Sequence, residues 1–216
     1  MELDTSMDTH FSENHRPLSD FQGEMQVNCP SCGQRGIVRR GAFSRERKDF
    51  ASDFCCTKCL HREQAGSQWH GRWIGSTGPG RWSSGACGHC GNRIAYQSAP
   101  ATEKPGPVVL SCTSCGQERS YPLYAYPWQG SDPVDPFFGL ALRYQEALSE
   151  GILWVYNRPH LSYLQALIAS KQRLSAKAGS QDIAARLPGW VLSARNREKV
   201  LRALARLEEA MEKDGL

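Results

Sequence analysis

Cys29-Pro30-Ser31-Cys32-Gly33-Gln34-Arg35 opens a unit that Cys56-Thr57-Lys58-Cys59 closes. Cys87-Gly88-His89-Cys90-Gly91-Asn92-Arg93 opens a second, closed by Cys112-Thr113-Ser114-Cys115-Gly116-Gln117. Two residues between paired cysteines let both sulfurs reach one ion at about 2.3 Å in a tetrahedron. The inner gaps of 23 and 21 residues are those of a zinc ribbon. Gly33, Gly91 and Gly116 follow three of the four knuckles, where a tight turn asks for the left-handed backbone that glycine adopts easily. Leu60 holds that place in the remaining knuckle. The expected ligands are Cys29, Cys32, Cys56 and Cys59 for one Zn2+, and Cys87, Cys90, Cys112 and Cys115 for a second. Pairing 56/59 with 87/90 instead would need a 27-residue gap and would break the repeat. Four thiolates fill the coordination sphere, so both ions read as structural. A structural zinc contributes on the order of 10 kcal/mol of folding free energy, the whole stability of a typical domain. Cys55 falls outside the spacing and reads as a spare thiol. His61 and His89 flank knuckles without being needed as ligands.

Outward from the repeat, the chain divides into five stretches. Residues 1–27 read as a disordered acidic tail, or as an acidic peptide that shields a basic surface or binds a partner. Ribbon 1 takes residues 28–62, a Trp/Gly/Ser-rich linker 63–85, and ribbon 2 residues 86–128. The prolines in 99–107 mark the hairpin tip of ribbon 2. Residues 129–216 form an α+β, mainly helical C-terminal domain. Within it, 140–148 reads as a strand or a short helix, and Ile152–Tyr156 as a buried strand. Pro159 suits the first position of a helix whose apolar stripe is Leu161, Leu164, Leu167 and Ile168, running on toward about Lys177. Ser193 is the expected N-cap of a last helix from about Ala194 to Lys213. The fold class expected is therefore α+β, with two tandem four-cysteine zinc ribbons ahead of a small, mainly helical domain.

Composition excludes some functions. The longest apolar run, Ile152–Tyr156, is five residues, far short of a membrane-spanning helix. The first residues are acidic with no apolar core, so no secretory signal is expected and a reducing cytosol is the expected compartment. The formal charge of +4 counts the cysteines as neutral. Two tetrathiolate zinc centres, each about −2, bring the balance near zero. Any argument for nucleic acid must rest on charge distribution instead.

That distribution is uneven. Residues 1–28 hold six acids and one base, and residues 171–206 hold nine bases and two acids. Ribbon 1 carries Arg35, Arg39, Arg40, Arg45, Arg47 and Lys48, which could contact phosphates or offset the zinc centre's charge. In the last helix Val200, Leu204, Leu207 and Met211 form an apolar stripe. Arg195, Lys199, Arg202 and Arg206 repeat the same offsets on the other face, either tracking a phosphate backbone or forming a solvated face. Glu208, Glu209 and Glu212 dilute that stripe. Trp69, Trp73 and Trp82, interleaved with Arg72 and Arg81, suit base stacking or packing, with packing favoured. The nucleic-acid contacts expected are Arg39, Arg40, Arg195, Lys199, Arg202 and Arg206.

No nucleotide loop, nucleophile elbow or carboxylate pair is present. The remaining candidates for catalysis are His160 as a general acid or base and Asn157 beside it, with Lys171 or Arg173 stabilising charge. Eleven residues of helix separate His160 from Lys171, roughly 16 Å, so the two do not share one phosphate without a fold-back or a second subunit. Asn157 as a helix cap and His160 as a partner of a backbone group is the alternative.

Asp135-Pro136-Phe137-Phe138-Gly139-Leu140, Leu153-Trp154-Val155-Tyr156-Asn157, His160-Leu161, Leu187-Pro188-Gly189-Trp190 and Ala194-Arg195-Asn196-Arg197-Glu198, together with the paired ribbons, carry a resemblance. Over about residues 29–213 the chain resembles bacterial proteins labelled as TFIIB-type zinc ribbon-containing. The resemblance implies a bacterial cytosolic protein. The leading expectation is a nucleic-acid-binding protein, for RNA or DNA, with structural zinc. One alternative is a metal-independent zinc-finger RNase or nuclease effector, of the ring-forming kind used in phage defence. Another is an adaptor that holds a protein partner or a second copy of itself.

Overall fold

The computed structural model describes residues 16–46, 49–64, 66–78, 84–130, 132–170 and 183–216. Arg47, Lys48, Arg81, Trp82, Lys171 and Arg173, and the expected run of the first helix toward Lys177, lie outside them.

The first strands build one antiparallel sheet. β1 (Glu24–Asn28) pairs with β2 (Arg35–Arg39), which pairs with β5 (Asp53–Cys56), which pairs with β6 (Arg62–Gln64). A short finger, β3 (Phe43–Ser44) and β4 (Asp49–Phe50), projects between β2 and β5. Alternation sets the buried face. Met25, Val27, Val38, Phe54 and Cys56 all point to the core, and Val38 lies opposite both Met25 and Phe54. Gly36 is required here because the Phe54 ring lies where a side chain would begin, 2.3 Å from an added Cβ. Residues 16–27, expected as the end of a disordered tail, are instead folded. A 3-10 turn, Leu18–Phe21, buries Phe21, and β1 supplies the sheet's edge. Their polar composition hides four buried side chains: Phe21, Met25, Gln26 and Val27.

The middle of the chain, Ala65–Ala141, is a compact unit of its own. β7 (Trp73–Ser76) comes from the stretch expected to be a linker, yet it is an integral strand. It pairs with β12 (Tyr124–Pro127) and bridges Gln97, just ahead of the proline-rich loop of ribbon 2, and Ala101 within it. β8 (Gly85–Ala86) and β9 (Arg93–Ile94) form one small hairpin, and β10 (Val108–Ser111) and β11 (Glu118–Tyr121) another. Asp135 is fully buried and accepts from the N–H groups of Phe137, Phe138 and Leu140, which fixes the turn ahead of Gly139.

The other unit joins the first sheet to everything from Leu142 onward. Leu142 bridges Val27, and the Arg143 N–H donates to the Gln26 carbonyl, so the returning chain binds β1 directly. β13 (Tyr144–Leu148) and β14 (Gly151–Val155) make a hairpin. The stretch 144–148 is thus a strand. In β14 Leu153 and Val155 are buried while Ile152 is exposed, the alternation of a half-covered hairpin rather than a fully buried strand.

Helices α1 (Arg158–Ala169), α2 (Ile183–Arg186), α3 (Gly189–Leu192) and α4 (Arg197–Lys213) complete this unit. Pro159 takes the second position of α1, after Arg158. The stripes read from the sequence are the packed faces: Leu161, Leu164, Leu167 and Ile168 on α1, with Val200, Leu204, Leu207 and Met211 on α4, are all buried. Ser193 does not cap α4. A 3-10 turn, Ala194–Asn196, intervenes, and Asn196 occupies the cap position while its side chain donates to the Trp190 carbonyl. The fold is α+β, with small antiparallel sheets carrying two four-cysteine clusters and a C-terminal helical region.

Candidate metal centres and basic surfaces

Each cysteine knuckle is the same backbone device. The N–H of the first cysteine donates to the carbonyl five residues on: Cys29 to Gln34, Cys56 to His61, Cys87 to Asn92 and Cys112 to Gln117. In three knuckles the glycine N–H also closes onto the first cysteine's carbonyl, from Gly33, Gly91 and Gly116, at φ of 70°, 72° and 71°. Leu60 adopts the same left-handed conformation, φ 60°, with its side chain 68% exposed.

These turns bring the sulfurs together in sequence order. Cys29, Cys32, Cys56 and Cys59 form one cluster and Cys87, Cys90, Cys112 and Cys115 the other, with every Sγ in a cluster within 4.8 Å of the rest. The Sγ–Sγ separations are 3.7 Å for Cys29–Cys59, 3.6 Å for Cys32–Cys56, 3.8 Å for Cys87–Cys115 and 3.7 Å for Cys90–Cys112. A tetrahedron with about 2.3 Å zinc–sulfur bonds has edges of about 3.8 Å. The clusters therefore each fit a zinc ion with all four positions supplied by sulfur.

Within each cluster the thiol pKa values are pushed apart: Cys29 and Cys115 go up to about 12, with burial and the neighbouring thiols raising them, while others are held down by backbone N–H groups. Burial works against the Cys56 thiolate, yet N–H groups of Cys59 and Lys58 aim at its sulfur, 3.4 Å away, and bring its pKa down to about 6. Cys87 is lowered to about 6 by the N–H groups of Cys90 and His89. Around the second cluster Ile94 and Tyr121 pack on Cys87 and Cys112. Cys55 is outside the first cluster, its Sγ 3.6 Å from the Cys56 carbonyl oxygen. The His61 ring hydrogen-bonds Glu63 at 2.9 Å instead of joining the cluster.

The basic residues are dispersed and partly neutralised. Lys199 meets Glu150 and donates to Ser149 Oγ at 2.6 Å, and Arg206 Nε meets Glu146 at 2.8 Å. Both acids come from the β13–β14 hairpin, so the stripe on α4 carries acids that its own helix does not show. Arg195 and Arg202 are exposed. Arg39 lies 3.3 Å from Glu24. Arg40 donates to the Ser19 carbonyl and stacks over the Phe50 ring at 4.1 Å. Phe50 in turn meets Phe43 edge-on at 5.2 Å, and Phe43 is 53% exposed beside exposed Arg45. This aromatic finger was missed in the sequence, although Arg40, Phe43, Arg45 and Phe50 alternate there in plain view. Trp69 and Trp73 are half-buried. Trp69 donates to the Arg72 carbonyl, and Lys104 sits over the Trp73 ring.

Asn157 and His160 are placed together, but as structure. Asn157 caps α1 by accepting from the His160 N–H at 3.0 Å, and its amide donates to the carbonyls of Phe21 and Glu24. His160 is 2% exposed, stacked on Phe21 and edged by Trp154 and Tyr156. Burial brings its pKa down to about 3. The ring is enclosed by aromatic side chains and takes a backbone N–H, from Tyr156, on Nδ1.

No family model, curated protein or solved structure matches the chain. No helix among the described residues is long and apolar enough to cross a membrane.

Proposed function

We propose that the chain is a nucleic-acid-binding protein of the bacterial zinc-ribbon kind, in which two structural zinc ions hold the ribbons and the finger of ribbon 1 makes the contact. The carrying observation is Phe43: a half-exposed ring at the base of the β3–β4 hairpin, edge-on to Phe50, over which Arg40 stacks, with exposed Arg45 two residues on. An aromatic face suits stacking on an unpaired base, worth about 1–3 kcal/mol per base. Guanidinium groups beside it suit the adjoining phosphates. The ligand class favoured is single-stranded RNA or DNA, because a duplex hides its base faces. Arg39 and exposed Arg195 and Arg202 extend the phosphate contacts. Lys199 and Arg206 contribute less because each already faces a carboxylate.

The test is a fluorescence-anisotropy titration of zinc-loaded protein with labelled single-stranded RNA, single-stranded DNA and duplexes across a salt series. The reading expects single strands to bind best, affinity to fall with salt, and Phe43→Ala and Arg45→Glu each to weaken binding about tenfold or more. Salt-independent binding, or variants that bind like the parent, would overturn it. Shortened products on a gel would instead favour a nuclease, with a site other than His160.

A further inference from the structure

We infer that the groove at the C-terminal end of α1 is a docking site for the chain's own first fifteen residues. The groove is a cavity of about 450 Å³ with Leu167 and Ile168 of α1 on one side and Val191 and Leu192 of α3 on the other. Arg195 and Arg197 stand at its edge. Leu167, Ile168, Ala184 and Val191 form a buried floor, and Leu192 at the mouth is 45% open to solvent. Neither arginine makes an ion pair among the described residues. The site offers an apolar floor and two uncompensated positive charges, so its occupant should be an amphipathic, acidic segment.

Such a segment is delivered to the groove's wall. The Ile183 N–H donates to the Arg16 carbonyl at 3.0 Å, and Ala184, the next residue, lines the groove. Arg16 is held there by Asp20 and by the Phe21 ring beneath its guanidinium. Arg16, the residue that follows the first fifteen, is therefore anchored beside the cavity. Residues 1–15 contain Leu3, Met7 and Phe11, spaced four apart so that a helical turn would align them on one face. They also contain Glu2, Asp4, Asp8 and Glu13 and no lysine or arginine. Tethering this close gives an effective concentration in the millimolar range, so even a weak apolar contact would be populated. The stretch that joins Ser170, which lines the groove, to Ile183 is a competing occupant, but it carries Lys171, Arg173 and Lys177 against Asp182. Its charge opposes Arg195 and Arg197, whereas that of residues 1–15 complements them. Docking does not depend on the nucleic-acid reading. Where both hold, the acidic segment covers Arg195 and competes with phosphate there.

The experiment is amide hydrogen exchange on the full chain, zinc-loaded and without nucleic acid, compared with the Leu3→Ser/Met7→Ser/Phe11→Ser variant. Exchange over residues 164–169 and 189–197 should quicken about tenfold or more in the variant, with zinc content unchanged. A synthetic peptide of residues 1–15 added to that variant should restore protection, and should fail to do so when Arg195 and Arg197 are also changed to Gln. Equal exchange in parent and variant overturns the inference. So does protection that rises with protein concentration, which assigns the segment to a second copy. So does protection lost on neutralising Lys171, Arg173 and Lys177 but kept in the triple variant, which assigns the groove to residues 171–182.

Discussion

The Tyr156 N–H donates to Nδ1 of His160 across 3.2 Å inside a box of aromatic rings. The bond needs a neutral imidazole, and burial keeps it neutral by lowering the pKa to about 3. In the unfolded chain the same ring titrates near 6.5. Below that pH the unfolded state binds a proton that the folded state refuses. The contribution is whole above about pH 6.5 and falls away as pH drops toward 3, by up to about 1.4 kcal/mol per unit. His160→Phe removes the titration and should flatten the acid limb of stability between pH 6 and 4 relative to the parent. Urea unfolding at saturating zinc measures this, and parallel limbs would refute it.

Zinc stoichiometry should follow the two clusters independently. Cys32→Ser and Cys90→Ser should each lower metal content from two ions per chain to one, and Cys55→Ser should leave two, by elemental analysis. A chelator strong enough to strip both ions should unfold the ribbons, since metal binding and folding are one equilibrium in so small a unit. Retained near-native dichroism in the stripped protein would contradict this.

Leu60 is in the left-handed conformation with its side chain in water. The conformation costs a non-glycine residue about 1–2 kcal/mol, and glycine's extra freedom in the unfolded chain returns about half of that. Leu60→Gly should therefore stabilise the protein by up to about 1 kcal/mol, seen as a higher urea midpoint with an unchanged slope. A loss of stability would show that the leucine side chain has a packing role.

Arg206 and Glu146 form a half-exposed pair between α4 and β13. Such pairs contribute within about 1 kcal/mol. Arg206→Gln should thus leave stability nearly unchanged and weaken single-strand binding less than Arg45→Glu does. An equal or larger effect on binding would return the contact surface to α4.

The sequence was most informative where chemistry is local. Two-residue cysteine spacing and a following glycine are short-range facts, and they named both clusters, their pairing and the exception at Leu60. Stripes on α1 and α4 were legible because helical periodicity repeats within one element. What escaped was set by residues far apart. Glu24–Asn28 looked polar, yet β1 is held by β2 on one side and by Leu142 and Arg143 on the other. The acids facing Lys199 and Arg206 sit about fifty to sixty residues earlier, out of reach of any i,i+4 rule. The strand at Trp73 reads as linker in the sequence because its partner, Tyr124–Pro127, lies past both cysteine pairs of ribbon 2.

Because the unit containing ribbon 1 is interrupted by Ala65–Ala141, its order of assembly on the ribosome is constrained. The interrupting segment is continuous in sequence, so it emerges whole and can take up its metal early. Ribbon 1 can bind zinc sooner still, but β1 meets Leu142 and Arg143 only after the intervening unit has been translated. At elongation speeds of about 5–20 residues per second, that leaves β1 without this partner for roughly 6 to 23 seconds. Over that interval ribbon 1 relies on its own strand pairs and on whatever metal its four cysteines take up, because the rest of its support has yet to be synthesised.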